Sequence, residues 1–301
     1  MTYDAIVVGG SYSGLSAALQ IARARRKVLV VDAGERRNRF AESSHGFLTQ
    51  DGSQAAQIAT LGREQLLAYP NVTWIDERAE NVLGSLDAFT IATSSGTSFE
   101  GRRLILATGV TDILPTVPGL RERWGKSVFH CPYCHGYETD GGNIGVLATG
   151  SLSTHQAMML PDWGRTTFFV NNMFEPDDDQ LNALAERGVQ IEYTPVKAIS
   201  GERVEPVVEL SDGRDMLFSG LFTLSRTAVT GPLPHQLGCD LEDGLLGTFI
   251  RTEASKMTSV PGVYACGDTA LMAGSVSFAV GDGVKAGVSA HQSLIFSGLP
   301  H

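Results

Sequence analysis

The fold of this chain is decided by residues 5–14, which read AIVVGGSYSG. The apolar residues 5–8 predict a short buried strand, and the glycine-rich run after them predicts a tight turn. Leu15, Leu19 and Ala22 then recur at the spacing of one helix face. A strand, a glycine turn and a helix in this order open a dinucleotide-binding unit, whose turn amides and helix N-terminus hold a pyrophosphate.

An acidic residue completes this motif at the end of the next predicted strand. Residues 28–31 are apolar, and three of them are β-branched valines. Asp32 follows them, 18 residues after Gly14. A carboxylate at this place can accept hydrogen bonds from ribose hydroxyls. The middle glycine of the usual pattern is Ser11, which crowds the pyrophosphate slightly but can donate a hydrogen bond to it. We therefore predict that Gly9, Ser11, Gly14 and Asp32 bind a cofactor.

A second motif lies at residues 130–138, which read HCPYCHGYE. Cys131 and Cys134 are one turn apart, a spacing that can close a small disulfide and reopen it by thiolate exchange. The two histidines beside them also suggest zinc, but six adjacent residues cannot readily surround a tetrahedral ion. Cys239 and Cys266 stand alone and do not provide a second ligand pair. The motif predicts a redox dithiol and no metal.

A second strand–turn–helix–strand pattern follows over residues 144–170 and predicts a smaller nucleotide-type domain. Its glycine fingerprint is degraded, since Ala148 and Ser153 replace two glycines and only Gly150 remains. Residues 175–179 include four acids where a site for NADPH needs arginines. The pattern argues strongly against NADPH and less strongly against NADH.

The remaining segments return to the first unit. Residues 104–107 predict a strand that runs into Thr108 and Gly109, and residues 262–266 predict another that leads to Gly267 and Asp268. We predict an α/β fold of two three-layer, Rossmann-like domains, the second inserted in the first. The first comprises residues 1–112 and 242–301, and the inserted one comprises 113–241.

Composition limits the classes of function. The 301 residues carry a net charge of -10, and 43% of them are hydrophobic. Nucleic acids and anionic membrane surfaces would be repelled by this charge. The chain shows no apolar run of about 18 residues that could span a membrane and no secretion signal, so we expect a soluble cytoplasmic protein.

The order of these parts resembles the low-molecular-weight thioredoxin reductase family of flavoprotein disulfide oxidoreductases over essentially the whole chain. The CPYCHGYE string and the weak second nucleotide site look like the branch that includes dithiol oxidases of disulfide-containing natural products. The resemblance implies FAD in the first domain and a homodimer formed mainly through FAD domains. The residues it implies for FAD are the turn at 9–14, Asp32, Ala107, Thr108, Gly109, Gly267 and Asp268. It also implies that His45 approaches the isoalloxazine ring.

The resemblance gives the two cysteines different roles. Cys134 faces the flavin, and Cys131 exchanges with the substrate sulfur. Thioredoxin reductases carry a proton-transferring aspartate after the second cysteine, and this chain has His135, which titrates near neutral pH and can serve instead. His130 and Glu138 are further candidates. The alternative for all three is that they only pack around a tight turn.

Three functions remain open from the sequence. An FAD-dependent dithiol oxidase would pass electrons from a substrate dithiol through the cysteine pair to FAD and oxygen. A thioredoxin-type reductase would run the other way, with NAD(P)H or another donor such as a ferredoxin. A flavin-loaded redox sensor would not be catalytic. The partner would be a small-molecule dithiol or disulfide, or a thioredoxin-like protein.

Overall fold

The fold was analysed in a computed structural model, which describes residues 1–202 and 204–296. Residue 203 of the predicted insertion and residues 297–301 of the predicted first domain lie outside the described residues. The α/β class is confirmed: two parallel sheets alternate with helices, and smaller antiparallel sheets are added to them.

Most of the elements come from short local patterns. The elements before the predicted insertion are β1 (Thr2–Val8), α1 (Tyr12–Arg23), β2 (Val28–Val31), β3 (Ser43–Ser44), β4 (Ser53–Gln54), α2 (Ala55–Leu67), β5 (Val72–Ile75), β6 (Ala79–Ser85), β7 (Ala88–Thr93), β8 (Ser98–Leu106) and β9 (Val110–Ile113). Those that follow are α3 (Leu120–Arg123), β10 (Val128–Phe129), α4 (Pro132–His135), β11 (Gly141–Leu147), α5 (Ser153–Met159), β12 (Gly164–Phe169), α6 (Asp178–Glu186), β13 (Gln190–Glu192), β14 (Val196–Gly201), β15 (Pro206–Leu210), β16 (Asp215–Leu217), β17 (Gly220–Thr223) and β18 (Arg226–Val229). The last are α7 (Leu233–Leu237), β19 (Leu241–Gly244), β20 (Gly247–Ile250), β21 (Val263–Ala265) and α8 (Val276–Phe296). Single 3₁₀ turns occur at Arg37–Phe40, Tyr137–Thr139, Leu160–Asp162 and Gly267–Ala270.

The first sheet carries the N-terminal motif at its centre. Its parallel strands lie in the order β5-β2-β1-β8-β21, and β7 and β6 extend the N-terminal half of β8 in antiparallel fashion. Because side chains alternate along a strand, Ala5 and Val7 face α1 and α8, and Ile6 and Val8 face the opposite core. Helices α1 and α8 pack closely, and a Cβ on Gly283 would collide with the carbonyl oxygen of Ser13.

The second sheet repeats this plan. Five parallel strands lie in the order β10-β17-β11-β12-β13. One face packs against α5 and α6, where Phe168 and Phe222 are fully buried, and the other packs against the antiparallel sheet β14-β15-β16. Each parallel sheet thus forms the middle of three layers, which confirms the predicted pair of Rossmann-like units.

A four-stranded sheet joins the two units. Strand β9, where the chain leaves the first unit, pairs antiparallel with β18, where it returns, and β20 and β19 complete the sheet. Ile113 lies opposite Arg226 in this pairing. The predicted boundaries, 112/113 and 241/242, fall inside β9 and β19, and they stay a prediction.

Candidate active site

A cavity of about 610 Å³ connects the N-terminal motif with the cysteine pair. The carboxyl ends of β1, β2 and β8 form one side of it, and the segment around α4 forms another. All of the predicted site residues line it except Gly14 and Gly267. Parallel α/β sheets place their ligand sites at the carboxyl ends of their strands, so a cavity of this kind is expected here.

The glycine turn is built for close approach of the backbone. Gly9 has φ +102°, and a Cβ there would collide with the carbonyl oxygen of Ala107. A Cβ on Gly14 would collide with the carbonyl oxygen of Gly9, so the first turn of α1 lies directly against the end of β1. Ser11 precedes the helix and makes no capping hydrogen bond to it, which leaves its hydroxyl for a ligand.

The acid at the end of β2 is held by the turn it faces. Asp32 accepts a hydrogen bond from the backbone N–H of Gly10 at 2.9 Å. Both oxygens of a carboxylate carry lone pairs, and only Oδ1 is used in this bond. The motif therefore brings a backbone cradle and an acceptor for ribose hydroxyls to one edge of the cavity.

Two polar atoms in the cavity wall need a partner that a ligand can supply. Within residues 1–202 and 204–296, no hydrogen-bond partner reaches the buried Nε of Arg36 or the buried Oδ1 of Asn38. Both residues line the cavity. Buried polar atoms in native proteins almost always have a partner. Together with the glycine cradle, these atoms show that the residues present fit the FAD implied by the sequence.

The redox pair lies at the start of α4. Cys131 is the last extended residue, Pro132 sets the first helical φ angle, and Cys134 follows one turn later. The two cysteines form a disulfide with their Cα atoms 5.4 Å apart. Both are partly exposed toward the cavity, so a substrate sulfur can reach the pair.

His135 is a neutral base beside this disulfide. Its ring stacks on Phe129 with the centroids 4.2 Å apart. Burial, and then the electrostatic effect of His45, lower the pKa of His135 to about 4. His135 therefore does not titrate near neutral pH, in contrast to what the sequence suggested, because its burial disfavours the charged ring. At neutral pH the imidazole is uncharged and keeps one nitrogen as a proton acceptor.

His45 reaches the same place from the loop between β3 and β4. Its Nδ1 lies 3.3 Å from Oε1 of Glu138 and 3.8 Å from Oδ1 of Asp51. Glu138 follows the redox motif, so this contact ties the loop to the segment with the disulfide. His45, His135 and Glu138, which the sequence suggested separately, lie close together in the fold.

The structure also brings in an arginine that the sequence did not single out. Arg37 donates two hydrogen bonds to Asp112 and one, at 2.8 Å, to Asp268. Asp112 also accepts a hydrogen bond from Ser225 at 2.8 Å. Burial raises the pKa of Asp112, but the hydrogen bonds and charge of Arg37 outweigh it and lower that pKa overall. Asp112 is therefore a carboxylate at neutral pH.

In the turn after β11 of the second unit, a backbone N–H forms a hydrogen bond within the turn itself. The backbone N–H of Thr149 donates to Oγ of Ser153 at 3.0 Å. The acids after β12 have a local use, because Asp177 caps α6 by accepting from the N–H of Gln180, whose side chain accepts from the N–H of Asp177. A hydroxyl thus takes up a turn amide, and one of the acids after β12 caps a helix.

The other cysteines lie outside this chemistry. Cys266 is fully buried in the core beside α1, and burial raises its pKa to about 12. Cys239 is buried, and its thiol donates to Oγ1 of Thr258. Among the described residues, no group of three or more His, Cys, Asp or Glu side chains is arranged to hold a metal ion. No helix in the described ranges is long and apolar enough to cross a membrane.

Known proteins resemble this chain over nearly its whole length. A family model described as pyridine nucleotide-disulphide oxidoreductase matches residues 3–291. The protein named thioredoxin reductase sirT, from Leptosphaeria maculans, is 32% identical over 305 residues, which cover 95% of this chain and 92% of that protein.

Two solved structures extend the likeness to the whole fold. An oxidoreductase from Agrobacterium tumefaciens is 51% identical with a TM-score of 0.95, and the match covers 98% of this chain and 99% of that one. The structure of HlmI is 36% identical with a TM-score of 0.89, and the match covers 98% of this chain and 93% of that one. The cavity and the cysteine pair both lie inside these matches.

Proposed function

Because the chain belongs to the pyridine nucleotide-disulphide oxidoreductase family, as an FAD-dependent disulfide oxidoreductase of the thioredoxin reductase type, we propose that it is a dithiol oxidase. It takes two electrons from a substrate dithiol into the Cys131–Cys134 disulfide and releases the substrate as a disulfide. FAD, when bound, supplies the two-electron acceptor through which molecular oxygen is reduced to hydrogen peroxide.

The observation that carries this proposal is the bond between the N–H of Thr149 and Oγ of Ser153. In a working dinucleotide site the turn amides point at the pyrophosphate. Here the serine hydroxyl competes for that donor, and Ala148 and the acids at 175–179 remove further features that hold NADPH. An enzyme that draws electrons from a dithiol does not need this second nucleotide site.

The two sulfurs divide the work in the way the sequence predicts. Cys131 takes the substrate sulfur, and Cys134 passes the electrons on. The cavity provides His135 as a neutral base close to both. Removal of the proton from an attacking thiol raises the fraction of thiolate, which is the reactive form.

The proposal also includes the reductant and the oligomeric state of the protein. A small cyclic or open dithiol, or a thioredoxin-like protein, is the reductant, and the protein works as a homodimer in the cytoplasm. Support for the dimer comes from α8, whose surface leaves the large apolar side chains of Phe278, Ile295 and Phe296 exposed. These side chains lie at both ends of the 21-residue helix, so a partner would cover its whole length, and exposed apolar surface of this kind is typical of interfaces.

A reductase that runs the other way is the second candidate, and the similarity to the protein named thioredoxin reductase sirT favours it. Such an enzyme would reduce a disulfide with electrons from NAD(P)H or from another donor such as a ferredoxin. The same cysteine pair would exchange with the substrate, but in the reverse direction and with electrons from a different source.

Anaerobic reduction of the flavin distinguishes the dithiol oxidase from the reductase. The purified protein, loaded with FAD, is mixed with NADPH, NADH or dithiothreitol, and the flavin absorbance is followed. We expect bleaching by the dithiol alone, and peroxide after oxygen is admitted. Bleaching by either nicotinamide nucleotide within seconds would overturn the oxidase. Bleaching by dithiothreitol without oxygen consumption would favour a reductase with another donor.

A further inference from the structure

His130 is connected to the cavity and to a chain of hydrogen bonds that reaches the first unit. It directly precedes Cys131 and lines the cavity with both cysteines. Its backbone carbonyl accepts from Nε2 of Gln156 at 2.8 Å, which fixes the main chain to α5. Its ring Nδ1 lies 3.4 Å from Oγ of Ser225.

The chain of hydrogen bonds defines which ring nitrogen of His130 carries the proton. Asp112 is ionised and can only accept, so Ser225 donates its single hydroxyl proton to Asp112 at 2.8 Å. Toward His130 the serine oxygen then has only lone pairs. Nδ1 of His130 must therefore be the donor, and Nε2 is left as the proton acceptor.

Arg37 fixes the far end of this chain. It holds Asp112 with bonds of 2.6 and 3.0 Å and holds Asp268 at 2.8 Å, and the Asp112 side chain is only 10% exposed. The carboxylate therefore cannot turn away from Ser225. Burial and then the charge of Arg37 lower the pKa of His130, so its ring is neutral at neutral pH.

We propose that His130 accepts the proton of the attacking substrate thiol at Nε2, and that Ser225, Asp112 and Arg37 are positioning residues that hold it in this tautomer. The proposal rests on the proposed direction of electron flow. It makes His130, rather than His135, the acceptor of this proton, and leaves His135 as a neutral base beside the cysteine pair.

The reaction consists of two successive thiol–disulfide exchanges. The first substrate thiol gives its proton to His130, and its sulfur attacks Sγ of Cys131. The bond from substrate to Cys131 forms, the Cys131–Cys134 bond breaks, and Cys134 leaves as a thiolate. The second thiol releases its proton to water and attacks the first substrate sulfur, and Cys131 leaves with the proton held by His130. The substrate loses two electrons, and the cysteine pair gains them.

The test uses Ser225→Ala and a matched control, Ser127→Ala. Both serines are 1% exposed, but within the described part of the chain no partner reaches the hydroxyl of Ser127. The FAD-loaded proteins are reduced by dithiothreitol without oxygen over a range of pH. We expect Ser225→Ala to lower the rate constant of anaerobic flavin reduction roughly 10-fold, which is part of the 100-fold or more typical of general base catalysis. The dependence of that rate constant on pH should also shift.

The tautomer is measured directly in protein labelled with ¹⁵N histidine. Two-bond ¹H–¹⁵N correlations separate the two tautomers, and a His130→Gln variant identifies the signals of this ring. We expect Nδ1–H in the wild type and a mixture or the other tautomer in Ser225→Ala. The groups that face the ring are Arg37, Asp112 and Asp268 from the first unit and the cysteine pair beside it.

Each outcome decides the proposal. It is overturned if wild-type His130 carries its proton on Nε2, is doubly protonated at neutral pH, or if Ser225→Ala reacts within twofold of Ser127→Ala with the same pH profile. Failure of the oxidase proposal looks different, because the wild type would then consume no oxygen with a dithiol while the tautomer and the anaerobic rates stay as expected.

Discussion

Arg37 and Asp112 form an ion pair with two parallel hydrogen bonds, Nη2 to Oδ1 at 2.6 Å and Nε to Oδ2 at 3.0 Å. Arg37 lies in the loop after β2, and Asp112 lies in β9, 75 residues away. With its bond to Asp268, this arginine neutralises part of the charge of two carboxylates at the cavity. The network is thus both a structural link and a part of the electrostatics of the site.

Removal of Arg37 should therefore destabilise the protein. In Arg37→Gln the two partly buried carboxylates lose their counterion, and we expect a loss of about 3 kcal/mol in the free energy of unfolding. Urea unfolding measures it. The matched control is Arg214→Gln, since Arg214 also pairs with two carboxylates but is 52% exposed. Its loss should be clearly smaller, because solvent screens an exposed ion pair, and equal losses in the two variants would contradict the prediction.

Gly14→Ala should weaken the binding of FAD. Its Cβ would collide with the carbonyl oxygen of Gly9, so α1 must move away from the turn that forms the cradle. We expect purified Gly14→Ala to carry less than about a tenth of the wild-type flavin, because the turn amides act only at hydrogen-bond distance. Flavin absorbance per protein measures this.

The control for that variant is Gly281→Ala, also within a helix. Nothing in the described structure lies within 4 Å of a Cβ at this position. We expect unchanged flavin content and a gain of up to about 1 kcal/mol from the better helix propensity of alanine. A full complement of flavin in Gly14→Ala would show that the close packing is not needed.

Cys134→Ser should separate cofactor binding from electron transfer. The variant keeps its cavity lining, so FAD stays bound, but no disulfide can form with Cys131. We expect anaerobic bleaching by dithiothreitol to slow by at least about a thousandfold, as for loss of an essential nucleophile. Cys239→Ala, which removes a buried thiol elsewhere, should react like the wild type. Persistent turnover in Cys134→Ser would exclude the relay.

The pKa of His135 predicts a stability that falls in acid. Burial and His45 lower this pKa from its ordinary value of 6.5 to about 4, so the unfolded chain binds the proton more readily than the folded protein. The resulting contribution of His135 to the free energy of unfolding is complete above about pH 6.5 and is lost as the pH falls toward 4. Its slope is on the order of 1 kcal/mol per pH unit.

His135→Gln isolates that contribution from those of the other titrating groups. Urea unfolding of both proteins between neutral and acidic pH should show a shallower loss of stability in the variant. Parallel curves for the two proteins would mean that His135 titrates normally.

Local patterns predicted most of the fold. The strand, turn and helix at residues 2–23 and the cysteine pair are encoded in consecutive residues, and the structure has them where the sequence indicated. Other apolar runs also marked β2, β11 and β21 within a few residues.

The network around Arg37 could not be predicted in this way. Asp112 and Ser225 are 113 residues apart, and both lie where the chain crosses between the units, so no periodicity connects them. Nothing in the sequence distinguishes Arg37 from the charged residues beside it. The acids after β12 were interpreted as unfavourable to phosphate, but only the structure reveals that Asp177 also caps α6. Local sequence marks elements and motifs, whereas contacts between distant segments depend on the packing of both units.

The pairing of β9 with β18 means that the inserted unit could be removed or exchanged as one piece. Because Ile113 and Arg226 lie side by side, residues 114–225 leave and return at one place, and a short turn there would close the remaining flavin-type unit. Insertions with adjacent ends are the ones that proteins tolerate best. The segment with the redox pair is in this sense a cassette, which protein engineers could exchange between relatives to give one flavin unit different dithiol chemistry.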